Sequence, residues 1–158
     1  YVLSVMLDQV LVSANRFFST LSRGRYALRL MEGPKGGNAL GGLDLEVLDG
    51  ASMLPRSIET LSGGEQFLAS LSLAFGLSDV VQAHSGAVRL DALFIDEGFG
   101  SLDGETLDVA MKALAMLQNS GRLVGIISHV SELKNRIPCR VEVTRDGNGL
   151  AHAGIRTQ

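Results

Sequence analysis

Three short stretches of this 158-residue chain carry residue types that could do chemistry. The first is Leu61-Ser62-Gly63-Gly64-Glu65, at the head of a long apolar segment. Ser62 with Glu65 three residues later is a capping box, which many helices carry for stability alone. Two glycines in a first helical turn are a poor choice for stability, because each weakens a helix by about 1 kcal/mol relative to alanine. They make sense if something must approach the backbone closely. A helix N-terminus with a small hydroxyl and bare amides favours an anion such as a phosphate. On these residues alone, capping and phosphate binding both stand.

The second stretch is Leu93-Phe94-Ile95-Asp96-Glu97. Charge at the end of an apolar strand needs a partner or water. The pair suits phosphoryl chemistry: Asp96 could hold a magnesium ion directly or through water, and Glu97, pointing elsewhere by strand alternation, could polarise an attacking water. A solvated strand end is the competing reading. The third stretch is Ser128-His129, directly after Leu123 to Ile127. If the two apolar strands are neighbours, His129 shares an edge with Asp96 and Glu97, and open α/β sheets bind ligands at that C-terminal edge. His84 and His152 stand in no such context and read as structural.

These residues need elements to position them. Leu3, Met6, Val10, Ala14, Phe17 and Leu21 recur at three- and four-residue steps, which predicts a helix over 1–21. It is either a core-packing helix or the last turns of a coiled coil entering a globular head. Alternation over 25–31 (Tyr26, Leu28, Leu30) and partly over 43–48 (Leu43, Leu45, Val47) predicts two antiparallel strands joined by a long loop. That loop contains Gly33-Pro34-Lys35-Gly36-Gly37, which is no phosphate loop: no Gly-Lys-Ser/Thr follows, and the flanks are strand and strand.

A second apolar helix is expected over 64–83 and a buried strand over 90–96. From Asp103, a candidate N-cap, a helix runs to Gln118 with Leu107, Ala110, Met111, Leu114 and Leu117 on one stripe; Asn119 to Gly121 is a stop signal. Leu123 to Ile127 reads as another buried strand. A short helix from Ser131 ends before Pro138. Arg140 to Arg145, the turn Asp146-Gly147-Asn148-Gly149 and Leu150 to Ile155 read as a hairpin. Strand, helix, strand in the middle predicts parallel pairing and an α/β class.

Composition narrows the field. The chain is 46% hydrophobic and 20% charged, which is a globular composition and excludes a disordered or collagenous chain. A net charge of −3 gives no basic whole-chain footprint for nucleic acid. Residues 1–35 are mildly basic, with Arg16, Arg23, Arg25, Arg29 and Lys35 against Asp8 and Glu32, a weak hint of an edge facing a polyanion. The single Cys139 excludes an internal disulfide framework and fits a reducing, cytoplasmic compartment. No apolar run approaches the roughly 18 residues of a membrane span. A first residue that is Tyr rather than Met implies a fragment or a processed piece.

The ordered set, Leu61 to Glu65, then the strand ending Asp96-Glu97, then Ser101-Leu102-Asp103, then Ser128-His129, resembles the C-terminal lobe of ABC-type (P-loop NTPase) ATPase heads. The resemblance implies roles. Leu61, Ser62, Gly63, Gly64 and Glu65 are the ATP-binding signature motif, and Leu90 to Asp96 is the Walker B strand, with Asp96 toward Mg2+. Glu97 is the catalytic glutamate, Ser101 to Asp103 the D-loop with Asp103 at the nucleotide interface, and His129 the switch histidine. Gly98-Phe99-Gly100-Ser101-Leu102-Asp103 after the acidic pair, followed by Glu105-Thr106-Leu107-Asp108, is similar to the SbcC family, ATPase subunits of the bacterial SbcCD nuclease. It is also similar to the ATPase partner of the archaeal and eukaryotic double-strand-break repair nuclease. The likeness extends from Arg56 to Val143 and more loosely before that.

It implies a division into 1–22, the end of a returning coiled coil, and 23–158, the lobe, with a parallel-strand core, flanking helices and β-hairpins. Expected ligands are ATP and Mg2+. Expected partners are the N-terminal lobe of the same protein, a second head, an SbcD-like nuclease subunit and double-stranded DNA, with no membrane. No Gly-x4-Gly-Lys-Ser/Thr occurs and no Gln loop is identifiable; in that family both belong to the N-terminal lobe, so the chain reads as half a head. A lobe of a transporter or other SMC-like ATPase fits poorly after Glu97. A non-catalytic docking module of the same fold would need neither Glu97 nor His129.

Overall fold

A computed structural model describes residues 2–31, 44–85, 90–119 and 121–157, with side chains from Val5 onward. The glycine-rich loop at 33–37, Leu43 and the side chain of Leu3 lie outside the described residues. The elements are α1 (Val2–Leu21), β1 (Tyr26–Leu30), β2 (Leu45–Asp49), β3 (Leu54–Ser57), a 3-10 turn (Ile58–Thr60), α2 (Gly63–Ser85), β4 (Ala92–Asp96), a second 3-10 turn (Phe99–Ser101), α3 (Gly104–Asn119), β5 (Leu123–Ile127), α4 (Ser131–Arg136), β6 (Cys139–Arg145) and β7 (Ala151–Thr157).

Two crossed helices organise the core. From α1 come Val10, Leu11, Ala14, Phe18 and Leu21; from α2 come Leu68, Ala69, Leu71, Phe75 and Val80, all buried. The crossing falls at Gly76, where a Cβ would stand 2.6 Å from both the Ala14 nitrogen and the Val10 carbonyl oxygen. A mid-helix glycine normally weakens a helix; here only glycine lets the two backbones touch. Phe17 and Phe75 meet edge to face at 5.2 Å. Asp79 on α2 accepts from Ser13 Oγ at 3.0 Å and from Arg122 Nη2 at 2.9 Å, tying α1 and the entry to β5 to the same helix. Toward the start of α1, Val5, Met6 and Val12 face solvent.

By length and composition α2 is apolar enough to cross a membrane. A search for an unbroken apolar run misses this, because Glu65, Gln66 and several serines interrupt the segment. Its buried stripe from Leu68 to Val80 makes it the central core helix of this fold.

The two expected antiparallel strands pair as predicted, from Tyr26 opposite Asp49 to Leu30 opposite Leu45. Beyond them lies β3, which the sequence did not announce: Leu54-Pro55-Arg56-Ser57 has no alternation, and its proline suits an edge strand. Strands β4 and β5 pair in parallel, with Ala92 opposite Leu123 and Asp96 opposite Ile127. They are not the buried strands expected. Leu93, Ile95, Val124 and Ile126 pack toward the core, while Phe94, Leu123 and Ile127 are 67%, 62% and 55% exposed. The reason is coverage. An apolar run shows that a strand can be buried on both faces, not that its own chain supplies both layers. The Phe94 ring lies across Gly125, its partner in the ladder, within 2.5 Å of where a Cβ would stand. The tail forms the expected hairpin, with Asp146 Oδ1 accepting from the Asn148 and Leu150 amides at 2.9 Å each.

The Gly76 crossing can be tested directly. Gly76→Ala should destabilise the chain by about 1–3 kcal/mol in urea unfolding, as overpacking does in a filled core. Gly104→Ala, at a position where a Cβ meets nothing within 4 Å, should cause no loss.

Candidate functional site

The parallel register brings the ends of β4 and β5 to one edge. Glu97 N–H donates to the Ile127 carbonyl at 2.9 Å, which carries the pairing one residue past the strand. The chain then turns sharply, with φ of +63° at Glu97 and +94° at Gly98. A left-handed conformation is uncommon for a glutamate, and such strain tends to sit where function over-determines the backbone. The turn is held from α2: the Phe67 ring occupies the space beside Gly98, 2.6 Å from where a Cβ would stand, and packs on buried Phe99 at 4.9 Å. So turned, the Glu97 carboxylate meets His129 Nδ1 at 3.0 and 3.2 Å. Ser128 Oγ accepts from the Val130 amide at 3.2 Å and bends the chain into α4. The Asp96 carboxylate is exposed at the same edge, with no hydrogen-bond partner among the described residues.

The capping box at the head of α2 is complete. Glu65 N–H donates to Ser62 Oγ at 3.3 Å, and Ser62 N–H donates to Glu65 Oε2 at 2.9 Å. The Leu61 side chain is buried in the core, and Gln66 Nε2 donates to its carbonyl at 3.1 Å. Ser62 and Gly63 are exposed, and Gly64 is half-buried. A Cβ at Gly63 would stand 3.5 Å from Ser101 Cβ, and one at Gly64 3.4 Å from Thr106 Cγ2. Those are ordinary contacts, so the chain's own packing leaves room for alanine at both positions. The same contacts seat this helix start on the segment Ser101 to Thr106. Asp103 caps α3 as expected: its Oδ1 accepts from Thr106 N–H at 2.7 Å, and its carbonyl accepts from the Leu107 amide at 2.9 Å. The Thr106 N–H holds the Asp103 carboxyl below its usual value.

Sequence reasoning missed the residues behind Glu65. Its second oxygen accepts from the Tyr26 hydroxyl at 2.8 Å. Arg56 Nη2 donates to that hydroxyl at 3.0 Å. The Arg25 and Arg56 guanidiniums lie 4.7 and 5.2 Å from the Tyr26 ring centroid. Asp49, buried at the end of β2, stands 3.6 Å from Arg25 and 3.9 Å from Arg56. Arg25 is also 3.7 Å from Glu65. Burial, then the bond to Glu65, pushes the Tyr26 phenol up. Burial alone would push Glu65 up too, but the Ser62 and Tyr26 hydrogen bonds and the Arg25 charge outweigh it and hold the carboxyl below its usual value. The alternation of β1 marks Tyr26 as an inward residue but says nothing of its hydroxyl.

Among the described residues no group of three or more His, Cys, Asp or Glu could cage a metal. One exposed carboxylate at Asp96 suits Mg2+ in another way, since that ion commonly takes one or two carboxylates together with substrate phosphates.

The fold is that of the C-terminal lobe of an ABC/SMC-type ATPase head. A structure described as "Structural biochemistry of ATP-driven dimerization and DNA stimulated activation of SMC ATPases" matches with a TM-score of 0.71 at 18% identity, over 99% of this chain and 88% of that one. The SMC head of Pyrococcus yayanosii with a coiled coil and joint matches at 0.66 and 21% identity, over 94% of this chain and 26% of that one. The family model described as "SbcC/RAD50-like, Walker B motif" matches residues 43–116. The SbcC subunit of the nuclease SbcCD from Vibrio cholerae is 57% identical over 152 residues, 95% of this chain and 15% of that protein. Its counterpart in Staphylococcus aureus is 51% identical over 146 residues, 92% of this chain and 14% of that protein. The chain belongs to the SbcC/RAD50-like family, and spans about 15% of the length of the relatives it matches.

The carboxylates set the acid response. Glu65, Asp49, Asp103, Glu142 and Asp146 are all held below their usual values. A carboxyl depressed in the folded state stabilises it above the unfolded pKa, and that contribution is lost as pH falls through the folded one. The melting temperature should hold from neutral pH to about 5 and fall below it, and Glu65→Gln should start lower at pH 7 and decline less.

Proposed function

We propose that this chain is the C-terminal half of an SbcC-like ATPase head that hydrolyses ATP at an interface between two heads. Asp96 would hold Mg2+ at the edge of the parallel pair, where the ion would neutralise phosphate charge. Glu97 polarises the attacking water, and His129 orients that carboxylate and senses the γ-phosphate. The Ser62 hydroxyl and the amides of Gly63 and Gly64 face the γ-phosphate of ATP held by the second head, with Leu61 and Glu65 fixing that helix start and Asp103 lying beside the same interface.

One observation carries the reading: Glu97 sits in a left-handed turn whose effect is to bring its carboxylate to His129, 32 positions away in sequence. A solvated strand end has no use for that arrangement. Two further features support it. Phe94, Leu123 and Ile127 offer an apolar parallel-sheet face to an N-terminal lobe of the same protein, and Val5 and Val12, seven residues apart and exposed, offer apolar contacts to a second coiled-coil strand. In the intact protein, ATP binding would join two heads and hydrolysis release them, gating double-stranded DNA to an SbcD-like nuclease subunit in the cytoplasm.

Two substitutions in a head reconstituted with its N-terminal lobe test the assignment. Glu97→Gln should keep ATP binding, lower turnover by about 10²–10⁴-fold and accumulate ATP-bound dimers; wild-type turnover would overturn the role of Glu97, whereas a wild-type head with no turnover at all would favour a docking module. Ser62→Arg should leave ATP binding to a single head intact and abolish dimerisation with a non-hydrolysable analogue, read by sedimentation. A Ser62 that only caps α2 would instead show about 0.5–2 kcal/mol of lost stability on Ser62→Ala and no effect on dimerisation.

A further inference from the structure

We propose that Tyr26 is a positioning residue for the head of α2: it keeps the negative charge of Glu65 turned inward, away from the face on which Ser62, Gly63 and Gly64 would receive a phosphate. The inference rests on the reading of those residues as a phosphate-facing motif and adds a residue that acts on them from behind.

The ring of Tyr26 has no freedom. It is 4% exposed, stacks on Phe18 at 6.0 Å, and has the guanidiniums of Arg25 and Arg56 within 4.7 and 5.2 Å of its centroid. Its backbone is fixed as well, because Tyr26 N–H donates to Ser22 Oγ at 3.2 Å in the turn that ends α1. What remains is the orientation of one hydroxyl hydrogen. A phenol has a single hydrogen to donate, and Arg56, all donor, approaches its oxygen at 3.0 Å. The hydrogen is therefore directed at Glu65 Oε1, 2.8 Å away.

Glu65 is then held at both oxygens, by Tyr26 at one and by the Ser62 amide at the other. To swing outward it must break both bonds and leave Arg25. This matters because of sign. A helix N-terminus attracts an anion through its free amides and dipole. A glutamate three residues in, turned toward solvent, would place a negative charge beside that anion and oppose it. An ordinary capping box fixes one oxygen only; the second hold, from β1, locks the charge on the inner side.

The test compares four intact heads, each carrying this chain and its N-terminal lobe: wild type, Tyr26→Phe, Glu65→Gln and the double variant. Tyr26→Phe keeps the buried ring. It should weaken dimerisation with a non-hydrolysable ATP analogue about threefold to tenfold, the range of one hydrogen bond, with single-head ATP binding unchanged. In the Glu65→Gln background, with no charge left to restrain, Tyr26→Phe should add little. Additive effects would overturn the proposal, since they would mean that Tyr26 does not act through Glu65. Amide hydrogen exchange without nucleotide provides an independent reading: the hydrogen-bonded amides of this turn, those of Ser62, Glu65 and Gln66, should exchange faster in Tyr26→Phe, and unchanged exchange there would overturn it too. Failure of the ATPase reading would look different, as a wild-type head that does not dimerise with nucleotide, and the exchange data would then still decide whether Tyr26 holds this helix start.

Discussion

A single carboxylate, that of Glu65, joins the two halves of this fold. One oxygen closes the first turn of α2 through the Ser62 amide; the other receives the Tyr26 hydroxyl from β1. Behind Tyr26 stand Arg56 and Arg25, and behind them Asp49. The antiparallel sheet is thus wired to the head of the central helix by a chain of alternating charges. Two cations and two anions around one aromatic ring leave no net charge to desolvate, which is the condition under which partly buried ions are tolerated.

The second organising feature is the edge where β4 and β5 end. Parallel pairing aligns the two strand ends, and the left-handed pair Glu97-Gly98 aims a carboxylate across the edge. The aim depends on α2, because Phe67 fills the space beside Gly98. The same helix therefore follows directly on Ser62 at its start and, about one turn further along, braces the turn that carries Glu97. The two candidate chemical elements are parts of one packed unit, and Ser101 to Thr106, against which Gly63 and Gly64 rest, completes it.

Much of this was legible in the residues. Every long helix followed from apolar spacing, the parallel pair from the order strand, helix, strand, and the capping box and the Asp103 cap from residue type. The convergence of Glu97 and His129 followed from placing two strand ends on one edge. What could not be read was made by residues far apart. Tyr26 meets Arg56 and Glu65 across separations of 30 and 39 positions, and no local pattern marks a hydroxyl that will find a carboxylate. β3 escaped because Pro55 and Arg56 break its alternation. The exposure of Phe94 and Ile127 escaped because hydrophobicity records what a strand can bury, not which chain buries it.

The crossing at Gly76 has a mechanical side. With backbone against backbone, α1 cannot slide along α2 without a clash, so the two rods share a pivot. From that pivot α1 runs roughly 15 Å to its outer end and α2 runs roughly 20 Å back to Gly63, at 1.5 Å per residue. Arms of such similar length neither amplify nor damp a rotation. With the crossing angle kept, a tilt imposed on the outer end of α1 would arrive at the head of α2 as a displacement of about the same size; with the angle free, the two rods would open like scissors and the head of α2 would stay where it is.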